Sequence, residues 1–132
     1  QVVNNLSEKL YTEKPIVIGA AYEPGHSSDW DAVLGAKQFN AKKIINLSNI
    51  DYVYDSDPRI NKNAKKIEKI SWSEYRALIP AEMKPGSNSP FDPTASKLAD
   101  EEGMQVIIMN GKSIENLASC LNAFFHSLLV FI

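Results

Sequence analysis

Three short apolar runs, at residues 16–20, 43–47 and 104–109, constrain the fold of this 132-residue chain more than any other feature. Each is shorter than the ten or so residues of a buried helix, and each reads as a buried strand. Between the first two, the apolar residues Trp30, Val33, Leu34 and Ala36 recur at helical spacing, with Lys37 and Gln38 free to face water. Strand, loop, helix, strand in that order favours parallel pairing with a right-handed crossover. The expectation is an α/β fold, and the length suits a single domain over residues 1–132.

The remaining segments fit between these anchors. Leu6 to Tyr11 reads as the end of a helix stopped by Lys14-Pro15. Ser28 reads as the N-cap of the helix that runs to about Asn40. After Ser48, residues 50–54 carry β-formers and Asp55-Ser56-Asp57-Pro58 makes a turn. The stretch 61–69, with Lys62, Lys65, Lys66 and Lys69, reads as a solvated hairpin or loop. Ser71-Trp72-Ser73-Glu74 has the capping-box pattern and opens a helix to about Ile79. Residues 80–93 hold four of the seven prolines and form an irregular loop, and such loops often carry function. Asp92-Pro93 places a cap and a first-turn proline at the start of a helix ending near Gly103. A last helix from Ser113 to about Leu121 puts Ile114, Leu117, Ala118 and Leu121 on one face.

Composition narrows the partners. Fourteen basic residues against sixteen acidic ones give a net charge of −2, so a nucleic-acid backbone is not the expected partner. A lone cysteine, Cys120, makes no internal disulfide, and a reducing, cytoplasmic setting is expected. The nearly apolar end, 124–132, is far short of the ~20 residues of a spanning helix, and no signal-peptide pattern precedes the first charges, so no membrane is expected.

Parallel α/β sheets bind ligands beyond the carboxyl ends of their strands, here the loops 20–29, 48–57 and 110–113. The first has the richest chemistry. Gly19, Pro24 and Gly25 shape the backbone, and Ser27 and Ser28 bring hydroxyl and N–H groups to a helix N-terminus, where anions are favoured. Asp29 beside such a site would repel phosphate unless it orients a cation. The commoner role of Ser-Ser-Asp before a helix is a cap with a dipole-compensating acid, and the commoner reading of His26 is an exposed loop histidine. With no second histidine or cysteine nearby, no metal site is expected there. Neither G-x-x-x-x-G-K-[ST] nor a strand-borne G-x-G-x-x-G occurs. Trp72, Tyr75, Phe124 and Phe125 read as core residues and not as a base-stacking platform.

Taken together, these loops are recognisable. Gly19-Ala20-Ala21-Tyr22-Glu23-Pro24-Gly25-His26-Ser27-Ser28-Asp29 resembles the UMP-binding loop of uridylate kinases, in the amino acid kinase superfamily. The run Asn46-Leu47-Ser48-Asn49-Ile50-Asp51-Tyr52-Val53-Tyr54-Asp55-Ser56-Asp57-Pro58 resembles their ATP-binding segment, with Tyr52 where glycine is usual. Asp92-Pro93-Thr94-Ala95-Ser96-Lys97 is similar to their Asp-Pro-x-Ala-x-Lys helix opening, and residues 106–111 to their strand ending in Asn-Gly. The likeness covers roughly residues 16–122, in the family's order, and corresponds to the C-terminal half.

The resemblance implies a three-layer α/β/α arrangement around a mostly parallel sheet. It implies transfer of the ATP γ-phosphoryl group to UMP, with Mg²⁺ carried by the nucleotide. Ala21, Tyr22, Glu23, Pro24, Gly25, His26, Ser27 and Ser28 would line UMP, Asp29 would organise the transfer site, and Ser48, Asn49, Tyr54 and Asp57 would hold ATP. The family's glycine-rich phosphate loop and catalytic lysine have no counterpart here, so the isolated chain is expected to be inactive. The alternatives are a non-catalytic nucleotide-binding or assembly module, or a relative acting on a carboxylate, carbamate or isopentenyl phosphate. The partners expected are nucleotides and, through the divergent apolar end 123–132, further copies of the chain in a homo-oligomer.

Overall fold

The structure is a computed structural model, and it describes residues 1–6, 8–20, 24–82 and 89–123. Strands β1 (Val2–Val3) and β2 (Ile18–Gly19) lead to helix α1 (Ser28–Gln38) and strand β3 (Lys43–Ser48). Strands β4 (Val53–Tyr54) and β5 (Lys66–Ile67) precede helices α2 (Trp72–Leu78) and α3 (Pro93–Glu101), then strand β6 (Gln105–Asn110) and helix α4 (Ile114–Ala123). The strands pair as β1 with β2 and β3 with β6, both parallel, and β4 with β5, antiparallel. The α/β class is the one expected.

The helices start where their sequences cap them. Ser27, extended at ψ 161°, accepts the N–H of Trp30, and Asp29 and Asp31 in the first turn suit the positive end of the helix dipole. The cap is thus Ser27, one residue before the expected Ser28: its Oγ reaches the third residue onward, leaving Ser28 as the first helical residue. Ser71 and Glu74 form the full capping box of α2. Asp92 accepts the N–H groups of Thr94 and Ala95 at 2.6 and 2.9 Å, with Pro93 at the position whose missing N–H costs nothing. At the end of α3, Gly103 at φ +63° lets the Met104 N–H reach the Ala99 carbonyl at 2.8 Å.

The core gathers Val33, Ala36, Ile44, Tyr75, Phe91, Ala95, Ala99 and Met104. Alanines on both α1 and α3 let those helices come together, α1 resting on β3 and α3 on β6. Trp72 joins the core and donates its indole N–H to the Met104 carbonyl at 3.0 Å, while Tyr75 is buried outright. The core reading of these two holds; Phe124 and Phe125 lie outside the described residues.

Three further expectations are corrected. The described residues of the Leu6 to Tyr11 stretch do not end a helix. Leu6 is buried, its carbonyl accepts the Gln38 side-chain amide at 3.1 Å, and Tyr11 is 78% exposed. The chain here instead joins two parallel strands, closed by Ile18 N–H to the Gln1 carbonyl at 2.7 Å and Ala20 N–H to the Val3 carbonyl at 2.9 Å. The first apolar run yields only the two residues of β2, and Ile16 and Ile18 are exposed; the described strand partner of Ile18 is the short β1. Finally, β3 takes β6 as its described partner, Lys43 opposite Gln105 and Ser48 opposite Asn110, where sequence order suggested the strand before α1. The 61–69 stretch lies partly in the β4–β5 hairpin, as one of its two readings had it.

Candidate functional site

Gly25 adopts φ +95°, a conformation strained for any residue with a Cβ, and turns the chain toward α1. Beyond it, Ser27 caps the helix, and the first-turn N–H groups of Ser28 and Asp29 fall outside the helix's own ladder. His26 stacks on Trp30, ring centroids 5.1 Å apart and 17° from parallel. Gly25, His26, Ser27 and Trp30 line an open cleft of about 410 Å³ together with Glu82 and the α3 opening, Asp92 and Thr94. Two helix N-termini therefore border one cleft. Its described lining carries two carboxylates and neither lysine nor arginine.

Asp29 stands behind this cleft and ties the two helix starts together. One carboxylate oxygen accepts the backbone N–H of Asp92 at 2.8 Å, and the other the side-chain amide of Asn46 at 3.4 Å. Asn46, on β3, also donates to the Pro90 carbonyl at 3.2 Å. Burial pushes the Asp29 carboxyl above its ordinary value; the Asp92 N–H opposes that rise, and the Asp92 carboxylate adds to it. One residue earlier, Tyr75 clasps Phe91, its hydroxyl accepting the Phe91 N–H and donating to the Phe91 carbonyl, both at 2.7 Å. The 90–92 backbone is thus held from β3, α1 and α2 at once. Asn46, Tyr75, Asp92, Thr94, Trp30 and Glu82 were not among the candidate site residues. The polar Asn46 inside an apolar strand and the Asp92-Pro93-Thr94 helix opening were the local signals available.

The other candidates lie at the far end of β3 and beyond. Ser48 ends β3 beside Asn110, and its carbonyl accepts the Gly111 N–H at 2.9 Å. A Cβ on Gly111 would come within 3.3 Å of the Leu47 Cβ, so glycine permits this close strand-end contact. Asn110 donates to Asp51 at 2.9 Å, tying the two strand-end loops. Asn49 is exposed. Tyr54 is half-buried in β4, and the Lys66 ammonium sits 4.6 Å from the centre of the Tyr52 ring. Asp57 binds its own neighbour, accepting from the Arg59 guanidinium at 2.8 and 3.0 Å, and the hydrogen bonds from the Arg59 side chain and backbone hold its carboxyl below the usual range. No described hydrogen bond joins Ser48 or Asn49 to Tyr54 or Asp57. Pro24, Gly25, His26, Ser27, Ser28 and Asp29 are brought together at α1, whereas Ala21, Tyr22 and Glu23 lie outside the described residues. Among the described residues no helix is long and apolar enough to cross a membrane.

Comparison with known proteins adds an independent line. A sequence model of the amino acid kinase family matches residues 2–110. The chain is 36% identical over 126 residues to a uridylate kinase of Methanobrevibacter smithii, covering 92% of this chain and 56% of that protein. It is 37% identical over 106 residues to one of Methanococcoides burtonii, covering 80% and 45%. The crystal structure of uridylate kinase from Archaeoglobus fulgidus superposes with a TM-score of 0.72 at 25% identity, over 99% of this chain and 58% of that one. The chain spans about half the length of the curated relatives it matches.

Proposed function

This chain belongs to the amino acid kinase family, and on that premise we propose that it is the nucleotide-holding C-terminal half of a uridylate kinase, which passes the ATP γ-phosphoryl group to UMP. The observation that carries the reading is the α1 N-terminus, capped by Ser27 and open on a cleft. The N–H groups of Ser28 and Asp29 suit a phosphate there, reinforced by the helix dipole. The Ser27 oxygen accepts the Trp30 N–H, which leaves its hydroxyl hydrogen to donate to an anion. Pro24, Gly25 and His26, with Ala21, Tyr22 and Glu23, border the nucleoside in this reading.

Asp29 is a positioning residue here: its carboxylate is spent on Asp92 and Asn46, which sets the angle between the two helix starts. Ser48 and Asn49 lie at the strand ends where a second nucleotide is favoured, with Tyr54 offering a ring and Asp57 a carboxylate for its base and sugar. Mg²⁺ belongs to the ATP phosphates, where it neutralises charge on the transferred group. A cytoplasmic setting is part of the same proposal.

The described cleft offers its own limit on turnover. Phosphoryl transfer needs positive charge around the moving group, and Glu82 and Asp92 supply the opposite sign. The 132-residue chain is therefore expected to bind nucleotide without turning it over. Calorimetry with UMP and with MgATP, beside a coupled ADP-release assay, tests both statements. Absence of UMP binding at millimolar concentration overturns the site assignment, and turnover abolished by Asp29→Asn overturns the inactivity. The same charge balance favours a second reading, a non-catalytic nucleotide-binding module, for which binding of one nucleotide alone is the expected result.

A further inference from the structure

The cleft at the start of α1 has an aromatic element that a phosphate site leaves unused. His26 lies flat against Trp30, ring centroids 5.1 Å apart and planes 17° from parallel, and both residues line the cleft of about 410 Å³. Trp30 is half-buried and packs against the core, whereas His26 is exposed, so a fixed indole supports one face of a ring that borders the cleft. The backbone N–H of Trp30 also donates to the Ser27 cap at 3.2 Å, so one residue joins the helix start to the ring stack. Beside them Gly25 leaves room: a Cβ there would meet nothing within 4 Å. Charge divides the same cleft. The N–H groups of the α1 start favour an anion, while Glu82 and Asp92 on the lining oppose a second one. The remainder suits a neutral group.

We propose that His26, backed by Trp30, is the surface on which the pyrimidine base of the nucleoside monophosphate stacks, with base, imidazole and indole layered in parallel. The inference rests on the phosphate site proposed at α1 and adds the group that holds the other end of the ligand. A nucleotide is an anion joined through one sugar to a flat neutral ring. Here the N–H groups of Ser28 and Asp29 and the exposed His26 ring belong to one stretch of chain on one cleft, which matches that connectivity. The cleft volume lies in the range of small-molecule sites, which pair a few placed polar groups with aromatic walls. Stacking uses the face of the base and not its hydrogen-bonding edge, so the pair supplies affinity and leaves the choice of base to other groups. Trp30 acts through His26 as a positioning residue: with its ring held from behind, the imidazole loses less freedom when a base settles on it. Helical spacing assigned Trp30 only to the apolar face of α1, and the structure gives it this second use.

Calorimetric titration of the full chain with UMP and with ribose 5-phosphate, which keeps the anion and the sugar and lacks the base, tests the proposal. His26→Ala is expected to weaken UMP by about 5- to 100-fold and to leave ribose 5-phosphate little changed. His26→Phe, a flat ring with no hydrogen-bonding atom, should bring UMP binding back toward that of the unaltered chain. Trp30→Leu should weaken UMP and spare ribose 5-phosphate, a split that a merely structural role would not produce. A further measurement needs no variant: the uracil ring protons of UMP should move upfield in the NMR spectrum on binding, as protons held over an aromatic face do. Equal loss of both ligands in His26→Ala, UMP binding that His26→Ala leaves intact, no recovery in His26→Phe, or uracil protons that do not move would each overturn the stack. Trp30→Leu that binds both ligands as the unaltered chain does would overturn the backing role. If the unaltered chain binds ribose 5-phosphate as tightly as UMP, the phosphate site stands and the stack falls; if it binds neither, the phosphate site falls and the stack with it.

Discussion

Replacing Tyr75 by phenylalanine removes one oxygen atom and leaves two buried groups without partners. Tyr75 is 3% exposed, and its hydroxyl answers both the N–H and the carbonyl of Phe91, itself 1% exposed. A buried backbone group left unsatisfied costs about 1–3 kcal/mol. Two of them, with some relaxation, give an expected loss of about 2–4 kcal/mol, a large share of a domain's stability. With a urea slope of about 2 kcal/mol/M, the unfolding midpoint falls by about 1–2 M with the slope unchanged. The site should feel the change too, because Phe91 adjoins Asp92, whose N–H anchors Asp29 and whose side chain lines the cleft. The exposed Tyr52→Phe serves as control and should stay within about 0.5 kcal/mol. The same experiment has a pH signature. Burial raises the Tyr75 pKa, the Phe91 N–H opposes the rise, and the Asp29 and Asp92 carboxylates add to it. The folded state therefore keeps this proton where the unfolded chain has lost it. Stability from this group is complete below about pH 10 and drains away as pH climbs further, a component Tyr75→Phe lacks. A loss below about 0.5 kcal/mol, or an alkaline limb identical in both proteins, would refute the clasp as the support of residues 90–92.

Asp29→Asn tests a second linkage: because burial raises the Asp29 pKa, the folded state holds that proton above about pH 4, and wild-type stability drops as pH rises through the raised value. Urea midpoints from pH 4 to 7 should lose that component in the variant, and parallel profiles would contradict it. Ser27→Ala should cost about 1 kcal/mol and weaken UMP binding, whereas Ser28→Ala should spare the helix; equal effects on thermal unfolding would return the cap to Ser28. Exposed Val2, Ile16, Ile18 and Ile114 favour self-association, so light scattering should give a mass that climbs above 14.7 kDa with concentration, and a constant 14.7 kDa would count against it.

What the sequence made legible is what its neighbours in the chain decide. The Ser71 capping box and the Asp92-Pro93 opening each complete themselves within a few residues, and both helices begin where expected. The α1 cap missed by one residue for want of a local cue separating Ser27 from Ser28. Leu6 and Leu10 share helical spacing, yet the long-range contact of Leu6 with Gln38 decided against a helix. The preference of β3 for β6 is likewise non-local, since nothing in residues 43–48 names a partner. The site divides along the same line. Gly25, Ser27 and Asp29 were visible as a helix-start motif, while the bonds that define Asp29, to Asn46 and to Asp92 sixty-three positions away, exist only once the chain has folded.

The β3–β6 pairing carries a consequence for how the chain is made. Lys43 finds Gln105 only after sixty-two further residues have been added, so during synthesis β3 leaves the ribosome well ahead of its partner. The β4–β5 hairpin and the capped start of α2 need only nearby residues and can form in that interval. β3 meanwhile carries Ile44 and Ile45, buried in the folded state, without its described partner β6, and unpaired apolar strands of that kind find each other across molecules. Pairing at this sequence separation adds a loop-closure cost that must be met before the β3–β6 contacts form, and so slows folding.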